Sequence, residues 1–583
     1  MSEKQIVKRR LIPESASTLI MVAALFAAGG GPVGRADEVY KPNPKPPTDG
    51  RVGSNYTPAY AVNQVQFWHD FRPEVVEKEL AAAREHFGIS TLRVFLHNIN
   101  FDQEKPLFLA NLEQFLTICD QNGIRPGFVF FDDCHREEGI FLDKPTEPVM
   151  GWHNSRWAQC PQKRDRDPDN LEKFKPYIQE IIRAYRTDKR VLFWEIFNEP
   201  APGAEYSDRL KRAGYRWAKE VEPIQPVLNC EKGARGWADC ADSDIVDAHI
   251  YLHDFGPLDY LAGANPQKGT VITEAGARWK AGIKNFGDPC EMIHWLELRR
   301  NQQRTTPGVY LCWELMVGNS NCRWHWRDKP GAPEPEIPWC GLLWPDATPV
   351  SLAETEAIRR YATGKSQALF YADFEHSTQG WRPYGAKELK AINALCVPSA
   401  VKAVAGDANW TDYILEGRVA MQPEKDASES ANAGLIFRVN DPGESLDQMR
   451  GYAVTFGREN LVLSKINNGS RQTLATWNPA RLKTKTRIDE WSLIRIAAVG
   501  PRIRVWFNRM HPSSDPDAGL RIDFTDTENP VLSGAIGVQS HGAAAWFDNV
   551  VVLPADVLPQ SPTAASISPT SLRGKKHLNE EPK

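Results

Sequence analysis

Two glutamates at the ends of apolar runs are the residues of this sequence best placed for acid–base chemistry. Glu199 follows the apolar run in Phe193–Pro200, and Glu274 follows the β-branched run in Gly269–Ala275. Apolar runs of this length predict buried parallel strands whose last side chains face a cleft. A carboxyl group in such a cleft can donate a proton to a bound molecule or accept one. Two carboxyl groups are the minimum needed to break a glycosidic bond.

These glutamates lie within a long alternation of apolar runs and helical patterns. Eight runs predict strands: Val62–Trp68, Thr91–His97, Arg125–Phe131, Val191–Phe197, Pro226–Cys230, Ile245–Tyr251, Thr270–Glu274 and Val309–Trp313. The fold class is therefore α/β, a (β/α)8 barrel over residues 56–364 with its active face at the carboxyl ends of the strands. A doubly wound open sheet is the alternative, but no glycine-rich phosphate loop follows the first strand.

The pattern beyond the barrel changes to short alternating strands separated by turn signals. Seven such runs lie between Tyr413 and Gln539, and Asn467–Gly469 is one of the turn signals. Residues 368–556 are therefore predicted to form an all-β sandwich of the jelly-roll type. Residues 557–583 are rich in Ser, Thr, Pro and Lys, which predicts a disordered tail.

The first 36 residues have the pattern of an export signal. The basic group Lys8–Arg10 precedes the apolar run Leu19–Ala28, and Gly34–Ala36 supplies small residues for cleavage. The apolar run is shorter than the roughly 20 residues that span a bilayer, although an uncleaved anchor is the alternative. We expect a secreted, periplasmic or cell-surface protein with no membrane span in the mature chain. Residues 37–55, rich in Pro, Lys and Gly, are predicted to be a linker.

The composition argues against several functional classes. A net charge of −4 and a pI near 6.4 give no support for a nucleic-acid partner, which a basic surface would bind. The ten cysteines include no CxxC pair, and no ligand spacing completes Asp132-Asp133, so we expect no metal and no cofactor. The 19 tryptophans fit large cores, and some of them could stack on sugar rings.

Five motifs, in this order, resemble those of the clan A retaining glycoside hydrolases, most of all family 5 and its cellulase-like relatives. The motifs are Thr91–His97, Trp194–Pro200, Ala248–Tyr251, Ile272–Glu274 and Leu311–Glu314. Each motif alone is weak, whereas their order and their placement at strand ends are specific. The resemblance covers roughly residues 55–364.

The resemblance implies a retaining reaction by double displacement, with Glu199 as the general acid/base and Glu274 as the nucleophile. Arg93 could stabilise the carboxylate of Glu274 through a charge-assisted hydrogen bond, and a salt bridge in the barrel core is its alternative role. Asn198 could bind the 2-hydroxyl group of the sugar, or it could cap a turn or helix.

The same resemblance implies further substrate-binding residues. Tyr251 could donate to Glu274, His249 could lie near Glu199, and His97 ends the first motif. For the histidines a buried structural role is the alternative. Trp313 resembles the platform under the sugar at the cleavage point. Two further glutamates, Glu195 and Glu314, are not expected to be catalytic. We expect Glu195 to be paired deeper in the barrel, and Glu314 to face the opposite side from Trp313.

The predicted sandwich resembles the laminin-G and concanavalin-like domains of carbohydrate-active enzymes. The residues that carry this resemblance are Asp373–Glu375, Gly380-Trp381 and Ala545–Val550. They indicate the fold and leave carbohydrate binding by this domain as an expectation.

The expected function is that of an exported O-glycosyl hydrolase acting on β-linked carbohydrate, similar to cellulases, xylanases or mannanases. A non-catalytic glycan-binding protein and a transglycosylase with the same residues are the alternatives. The sugar, its linkage and endo or exo action stay open.

Overall fold

A computed structural model describes residues 51–557, except 135–138, 145, 202–203, 230–241, 252–255, 279–287, 303, 305, 376, 392, 422–429, 459, 479–490 and 509–518. The predicted export signal, most of the predicted linker and nearly all of the predicted tail lie outside the described residues. Among the helices of the described part, none has the length and apolar character needed to cross a membrane.

Eight parallel strands form the barrel: β1 (Arg51–Asn55), β2 (Thr91–Phe95), β3 (Arg125–Asp132), β4 (Trp194–Asn198), β5 (Val227–Leu228), β6 (Val246–Ile250), β7 (Thr270–Ala275) and β8 (Val309–Cys312). Their spatial order is β5-β4-β3-β2-β1-β8-β7-β6. The N–H group of Asp244, just before β6, donates to the carbonyl of Val227 in β5 at 2.8 Å, which brings the two ends of the sheet together. The predicted eight-stranded α/β barrel is confirmed.

Helices alternate with these strands: α1 (Gln64–His69), α2 (Pro73–Phe87), α3 (Asn98–Gln121), α4 (Lys175–Tyr185), α5 (Glu205–Glu220), α6 (Gly256–Ala264), α7 (Pro289–Asn301) and α8 (Leu352–Thr363). Helix α2 shows why these segments fold as they do. Proline has no backbone N–H group, but at the first position of a helix such a group would have no partner within the helix. Gly88 ends the helix with a φ of 70°. Its buried side chains Val76, Leu80 and Ala83 recur at helical spacing.

The first barrel strand lies earlier than predicted. Residues 62–68 were predicted to be a strand, but Gln64–His69 forms α1, because the Asn63 side chain caps it by accepting from the Gln66 N–H at 2.9 Å. The strand is instead β1, at the end of the predicted linker. It was hidden because Val52 is the one large apolar residue among its five. A side chain at Gly53 would lie 2.0 Å from the Thr91 carbonyl oxygen of β2.

The second domain is a sandwich of two antiparallel sheets, as predicted. The strands are β9 (Phe370–Ala372), β10 (Arg382–Tyr384), β11 (Lys390–Ala391), β12 (Leu395–Val397), β13 (Val401–Ala405), β14 (Tyr413–Met421), β15 (Asn432–Asn440), β16 (Arg450–Phe456), β17 (Leu461–Asn467), β18 (Ser470–Trp477), β19 (Ser492–Val499), β20 (Arg502–Phe507), β21 (Leu520–Thr525), β22 (Ala535–His541) and β23 (Ala545–Pro554). One sheet has the order β10-β13-β22-β15-β16-β17-β18. The other has the order β11-β12-β23-β14-β19-β20-β21, with β9 paired to β23.

The barrel and the sandwich share one hydrophobic core. The sandwich side chains Ile414, Leu493 and Val551 belong to the same buried cluster as Leu352 and Ile358 of α8. Burying apolar surface between two domains favours one fixed arrangement over independent movement. The sandwich keeps a separate core of its own between its two sheets.

The position of β1 can be tested by replacing Gly53 with Ala. The added methyl group would overlap the backbone of β2, which cannot move without disturbing the sheet. We expect the unfolding free energy of the barrel to fall by about 1–3 kcal/mol, measured by denaturant titration.

The matched control is Gly263→Ala in α6, where an added methyl group would meet no atom within 4 Å. This change should leave stability unchanged or raise it slightly, because alanine favours helix more than glycine does. Equal stability of Gly53→Ala and the wild type would contradict the placement of β1.

Candidate active site

The two predicted catalytic glutamates lie at the same end of the barrel. Glu274 is near the carboxyl end of β7, and Glu199 directly follows β4. The backbone of Glu199 has a φ of 42°, a conformation that is uncommon for residues other than glycine and that is concentrated at functional sites. One carboxyl oxygen of each glutamate and a ring nitrogen of His249 lie within 4.8 Å of one another. We call these three residues the catalytic cluster.

The fully buried guanidinium of Arg93 connects this cluster to the barrel interior. Its Nε and Nη2 donate to the two carboxylate oxygens of Glu195, at 2.7 and 2.5 Å. Its Nη1 donates to Glu274 Oε1 at 2.8 Å and to Asn55 Oδ1 at 2.9 Å. Its Nη2 also donates to Asn198 Oδ1 at 2.7 Å. These five bonds match the five N–H groups of a guanidinium, so the Arg93 side chain is held in one geometry.

His249, on β6, bridges the two glutamates. Its Nδ1 lies 2.8 Å from Glu199 Oε1 and 3.3 Å from Glu274 Oε2. Because carboxylate oxygens accept hydrogen bonds, Nδ1 is assigned the proton. Burial lowers the pKa of His249, but the nearby carboxylates of Glu274 and Glu199 outweigh burial and leave the pKa above its usual value. The imidazole therefore keeps its second proton to a higher pH than an ordinary histidine does.

Tyr251 completes the contacts of Glu274, as the sequence predicted. Its hydroxyl group donates to Glu274 Oε2 at 2.8 Å. Burial, together with the adjacent Glu274 carboxylate, raises the pKa of Tyr251 well above its usual value, so the hydroxyl keeps its proton and remains a donor. Each oxygen of Glu274 thus has a donor of its own, from Arg93 and from Tyr251.

Asn198 lies beside the cluster, with its amide oriented by two neighbours. Its Oδ1 accepts from Arg93, and its Nδ2 donates to Asp132 Oδ1 at 2.9 Å. Asp132, at the end of β3, also accepts from the Trp157 indole N–H at 3.1 Å. One N–H of the Asn198 amide remains for another partner. A contact from this group to a sugar hydroxyl stays a prediction.

The structure gives His97 a role different from the predicted substrate contact. Its Nδ1 accepts from the Ile99 N–H at 3.1 Å, and so caps helix α3. Its Nε2 lies 3.1 Å from the Gln159 carbonyl oxygen. Burial lowers the pKa of His97 to about 4, which keeps the ring neutral. Because the side chain is fully buried and both nitrogens are engaged, His97 offers no surface to a substrate.

Trp313 follows β8 and is almost fully buried. Its ring packs edge-on against Phe95, with centroids 6.2 Å apart, and against Trp157, with centroids 5.9 Å apart. Its peptide bond to Glu314 is cis. Trp313 therefore belongs to an apolar cluster that Tyr251 also contacts, and its role as a sugar platform stays a prediction.

The two glutamates not expected to be catalytic are both buried. Glu195 is paired with Arg93, as expected for a residue deeper in the barrel. Glu314 accepts from the Ser320 hydroxyl at 3.0 Å, and burial raises the pKa of Glu314 to about 8. Neither residue is part of the catalytic cluster.

Sequence reasoning missed one residue close to the site and did not assign the contact of a second, Trp326, in the loop after β8. Asp247 lies two positions before His249 on β6, and burial together with the charge of Glu195 raises the pKa of Asp247 to about 7. The alternation of side chains along a strand could have indicated it. Trp326 is 40% exposed, and its ring packs edge-on against Tyr251 with centroids 4.9 Å apart. Trp326 lies in a tryptophan-rich loop, but its sequence gives no signal of which ring meets Tyr251.

The catalytic cluster also has the donor set of a metal site, since two carboxylates and an imidazole bind ions such as Zn²⁺. In this geometry His249 Nδ1 already contacts both carboxylates, and the Arg93 guanidinium donates to Glu274. A cation would have to replace the Nδ1 proton of His249, and the charge of Arg93 would repel it. The arrangement therefore fits acid–base chemistry better than metal binding, and the expectation of no metal stays a prediction.

Comparisons with known proteins give one family match. Residues 366–553 match the model of the 3-keto-alpha-glucoside-1,2-lyase-like domain, so the match covers the sandwich. None of the curated proteins is similar enough to this chain to match it.

Several solved structures resemble parts of the chain. GH5_18 from Streptomyces cattleya in complex with GlcNAc is 16% identical, with a TM-score of 0.40 over 55% of this chain and 82% of that chain. The endo-1,4-beta-D-mannanase from Thermotoga petrophila RKU-1 is 15% identical, with a TM-score of 0.36 over 54% of this chain and 100% of that chain. The carbohydrate binding module CBM66 from Bacillus subtilis is 16% identical, with a TM-score of 0.24 over 30% of this chain and 95% of that chain. Similarities at this level do not assign an activity.

The charge of His249 can be tested through the pH dependence of stability. Because the folded-state pKa of His249 is raised, its protonation stabilises the fold below the unfolded-state pKa of about 6.5, and this stabilisation is lost as the pH rises through the folded-state pKa. The wild type should therefore exceed His249→Asn in unfolding free energy by more at about pH 5 than at about pH 9, measured by denaturant titration.

His97→Asn is the matched control with the opposite expected sign. Because the folded-state pKa of His97 is lowered to about 4, its neutral form is the stabilising one. The advantage of the wild type over His97→Asn should therefore be smaller at the lower pH. A pH-independent difference for His249→Asn would contradict the raised pKa.

Proposed function

We propose that this protein is a retaining glycoside hydrolase acting on β-linked carbohydrate. The observation that carries the proposal is the meeting of two glutamates from β4 and β7, with a carboxyl oxygen of each within 4.8 Å of the other. Retaining enzymes keep their two carboxyl groups about 5–5.5 Å apart, whereas inverting enzymes separate them by about 6.5–9.5 Å to admit a water. The short spacing favours direct attack by one carboxylate on the sugar.

In this proposal Glu274 is the nucleophile. Arg93 holds its Oε1 and Tyr251 holds its Oε2, and both contacts stabilise the negatively charged form that attacks the anomeric carbon. Oε2 lies on the side of His249 and Glu199, which makes it the attacking atom. The attack breaks the bond between the anomeric carbon and the glycosidic oxygen, and forms an ester between the sugar and Glu274.

Glu199 is the proposed general acid and base. Its proton passes to the leaving glycosidic oxygen while the ester forms. The Glu199 carboxylate then removes a proton from a water molecule, which attacks the anomeric carbon and releases Glu274. His249 donates to Glu199 Oε1 and orients this carboxyl group for both steps. A sugar hydroxyl in place of the water would give a transglycosylase, and analysis of products separates the two outcomes.

The proposed substrate is a plant-type or algal β-glycan, met outside the cell. The pattern of residues 1–36 supports export. The exposed ring of Trp326, beside the Tyr251 that holds the nucleophile, supports a sugar ring stacked at the rim of the site.

The catalytic assignment is tested with Glu199→Gln and Glu274→Gln. Each replacement keeps the shape of the side chain and removes the carboxyl group, so we expect the rate of hydrolysis to fall at least about 10²–10⁴-fold while binding is retained. Initial rates over a panel of β-glucans, β-mannans and β-xylans, and calorimetric binding of the best substrate, provide the measurements.

The matched control is Glu314→Gln. Glu314 is a buried glutamate outside the cluster, and its raised pKa of about 8 means that it is largely neutral at pH 7, as glutamine is. This variant should retain most of the activity. Normal turnover by Glu199→Gln or Glu274→Gln would rule out the assignment.

A second function is proposed for the sandwich, which is binding of carbohydrate. A polar groove crosses one of its sheets and is lined by Asn432, Asp447, Thr455, Ser464, Arg471 and Gln539, among others. Gln539 alternates with the core residue Val538 on β22, so it faces away from the core. Its Oε1 accepts from Arg471 Nη2 at 3.4 Å, while its buried Nε2 has no hydrogen-bond partner.

A buried N–H donor without a partner costs about 1–3 kcal/mol, so a ligand oxygen at this place would be favoured. Arg471 donates to Asp447 Oδ1 at 2.7 Å, so these two charges offset each other, and Arg458, which also lines the groove, is a further donor for the hydroxyl groups of a saccharide. The glucoside named in the description of the matching family supports the same ligand class.

The groove is tested with Gln539→Leu, which should weaken binding to insoluble β-glycans in a pull-down without lowering kcat on a small soluble substrate. Gln472→Leu is the matched control, because Gln472 is an exposed glutamine of β18 that does not line the groove. Binding by Gln539→Leu equal to that of the control would contradict a role for the groove.

A further inference from the structure

One buried arginine of the sandwich contacts two acidic residues of the barrel. Arg418, on β14, donates through Nη2 to Glu354 Oε1 at 2.8 Å, and through Nη1 to Asp288 Oδ2. Both acceptors are buried, and Asp288 also caps helix α7. Charges taken out of water in this way are stable only with their partners present. The sandwich therefore supplies a cation that the barrel needs.

Glu354 connects this arginine to a second one that belongs to the barrel. Arg278 donates to both oxygens of Glu354, at 2.8 and 2.5 Å. Glu354 is thus held between Arg418 of the sandwich and Arg278, which comes four residues after Glu274. With Asp288 included, two arginines and two carboxylates form a buried ionic network across the domain boundary.

Arg278 in turn holds the segment Pro338–Gly341, which lies in the loop after β8. Its Nη1 donates to the Pro338 carbonyl at 3.1 Å, and its Nη2 donates to the Gly341 carbonyl at 2.8 Å. Its backbone N–H donates to the Trp339 carbonyl at 2.9 Å. Three hydrogen bonds from one residue therefore determine where Trp339 lies.

Trp339 packs against Trp326 at the rim of the candidate active site. We call these two residues the tryptophan wall. The ring of Trp339 lies edge-on to Trp326 with centroids 5.6 Å apart, and Trp326 packs in the same way against Tyr251 at 4.9 Å. The Tyr251 hydroxyl donates to the proposed nucleophile. A continuous series of contacts thus runs from Arg418 through Glu354, Arg278 and the two tryptophans to the rim of the site.

A second contact connects the sandwich to α8, the helix that carries Glu354. Glu416, also on β14, accepts through Oε1 from the backbone N–H groups of Leu352 and Ala353 at 2.7 and 3.2 Å. These are the first residues of α8, so a carboxylate from the sandwich lies at the N-terminus of a barrel helix, where negative charge is favourable. Arg495 of β19 neutralises Glu416 at 2.7 Å. Glu354 is therefore held on a helix that the sandwich itself stabilises.

We infer that the sandwich is a structural part of the active site, and that Arg418 is a positioning residue that sets the tryptophan wall where the substrate binds. The inference rests on the proposed function for its kinetic consequence, and on the contacts alone for its structural one. Several residues separate Arg418 from Glu199 and Glu274 in this series of contacts. Arg93 binds Glu274 and His249 binds Glu199 without any contact to Arg418. Loss of Arg418 should therefore affect binding of substrate more than the chemical step.

The test compares Arg418→Met with Arg438→Met. Arg438 is a buried arginine of β15 that donates to the Gly500 and Val531 carbonyls, both within the sandwich. Arg418→Met should raise KM about 3- to 30-fold with kcat changed by less than about twofold, whereas Arg438→Met should leave KM unchanged at a temperature where both variants are folded. An equal rise of KM in both variants would mean general destabilisation and would overturn the inference.

Hydrogen exchange measured by mass spectrometry tests the same inference without any activity. Arg418→Met should speed exchange of the backbone N–H groups of Arg278 and Trp339, which donate to the Trp339 and Arg323 carbonyls, and Arg438→Met should not. If the wild type is inactive on every glycan, the proposed function fails and this measurement still decides the inference. Unchanged exchange at both groups in Arg418→Met would overturn it.

Should Arg418→Met fail to fold, the double variant Asp288→Asn/Arg418→Met replaces it. Asparagine also caps helices, so Asp288→Asn keeps the start of α7 while it removes the carboxylate that lost its partner. The double variant should show the same rise in KM and the same faster exchange. Arg418→Lys, which keeps the positive charge, should lie between the wild type and Arg418→Met. Wild-type behaviour of the double variant would overturn the inference.

Discussion

The Arg93 guanidinium is the interaction on which the rest of the site depends. A fully buried cation is stable only when its donors and its charge are both satisfied, and Arg93 achieves this with two carboxylates and two side-chain amides. Glu195 balances its charge from within the barrel, so Glu274 at the edge can share the guanidinium without being the sole partner. The cost of leaving Arg93 unpaired thus determines where Glu274 and Asn198 lie.

The same principle acts at the domain boundary. Arg418 is buried between the barrel and the sandwich, and separation of the domains would break its ion pairs with Asp288 and Glu354, whereas Glu354 would keep its pair with Arg278. The shared hydrophobic cluster, which includes Ile414 and Ile358, adds a non-directional attraction, whereas the ion pairs fix one orientation. Together they make the sandwich part of the framework that supports the loop after β8.

Much of the fold could be predicted from the sequence, because periodicity and helix signals agree along most of the chain. The sequence pattern predicts a helix over Pro73–Phe87 and a strand over Tyr413–Met421, and α2 and β14 have these bounds. Prediction failed at β1, where Val52 is the one large apolar residue and Gly53 allows a close approach to Thr91, and at α1, where the apolar residues of a short helix imitate a strand. The exposed strands β10 and β11 carry too few buried side chains to produce a pattern.

The site was partly predictable for a different reason. Arg93 lies on β2 and Tyr251 directly follows β6, so their side chains point where the barrel geometry requires. His97 is also at a strand end, but its ring caps α3, and only the path of the chain after β2 decides this. Arg278 and Arg418 act through partners 60 or more residues away in the chain, and no local pattern encodes such contacts.

The central claim is that Glu274 forms a covalent bond to a sugar. The most direct measurement is trapping with 2-deoxy-2-fluoroglycosyl fluorides of the sugars that the enzyme hydrolyses, followed by mass spectrometry of peptides. With Glu274 as the nucleophile, we expect inactivation with one sugar attached to the peptide that contains Glu274, and no labelling of Glu274→Gln. An enzyme that hydrolyses the matching glycan yet carries the label elsewhere, or carries none, would contradict it.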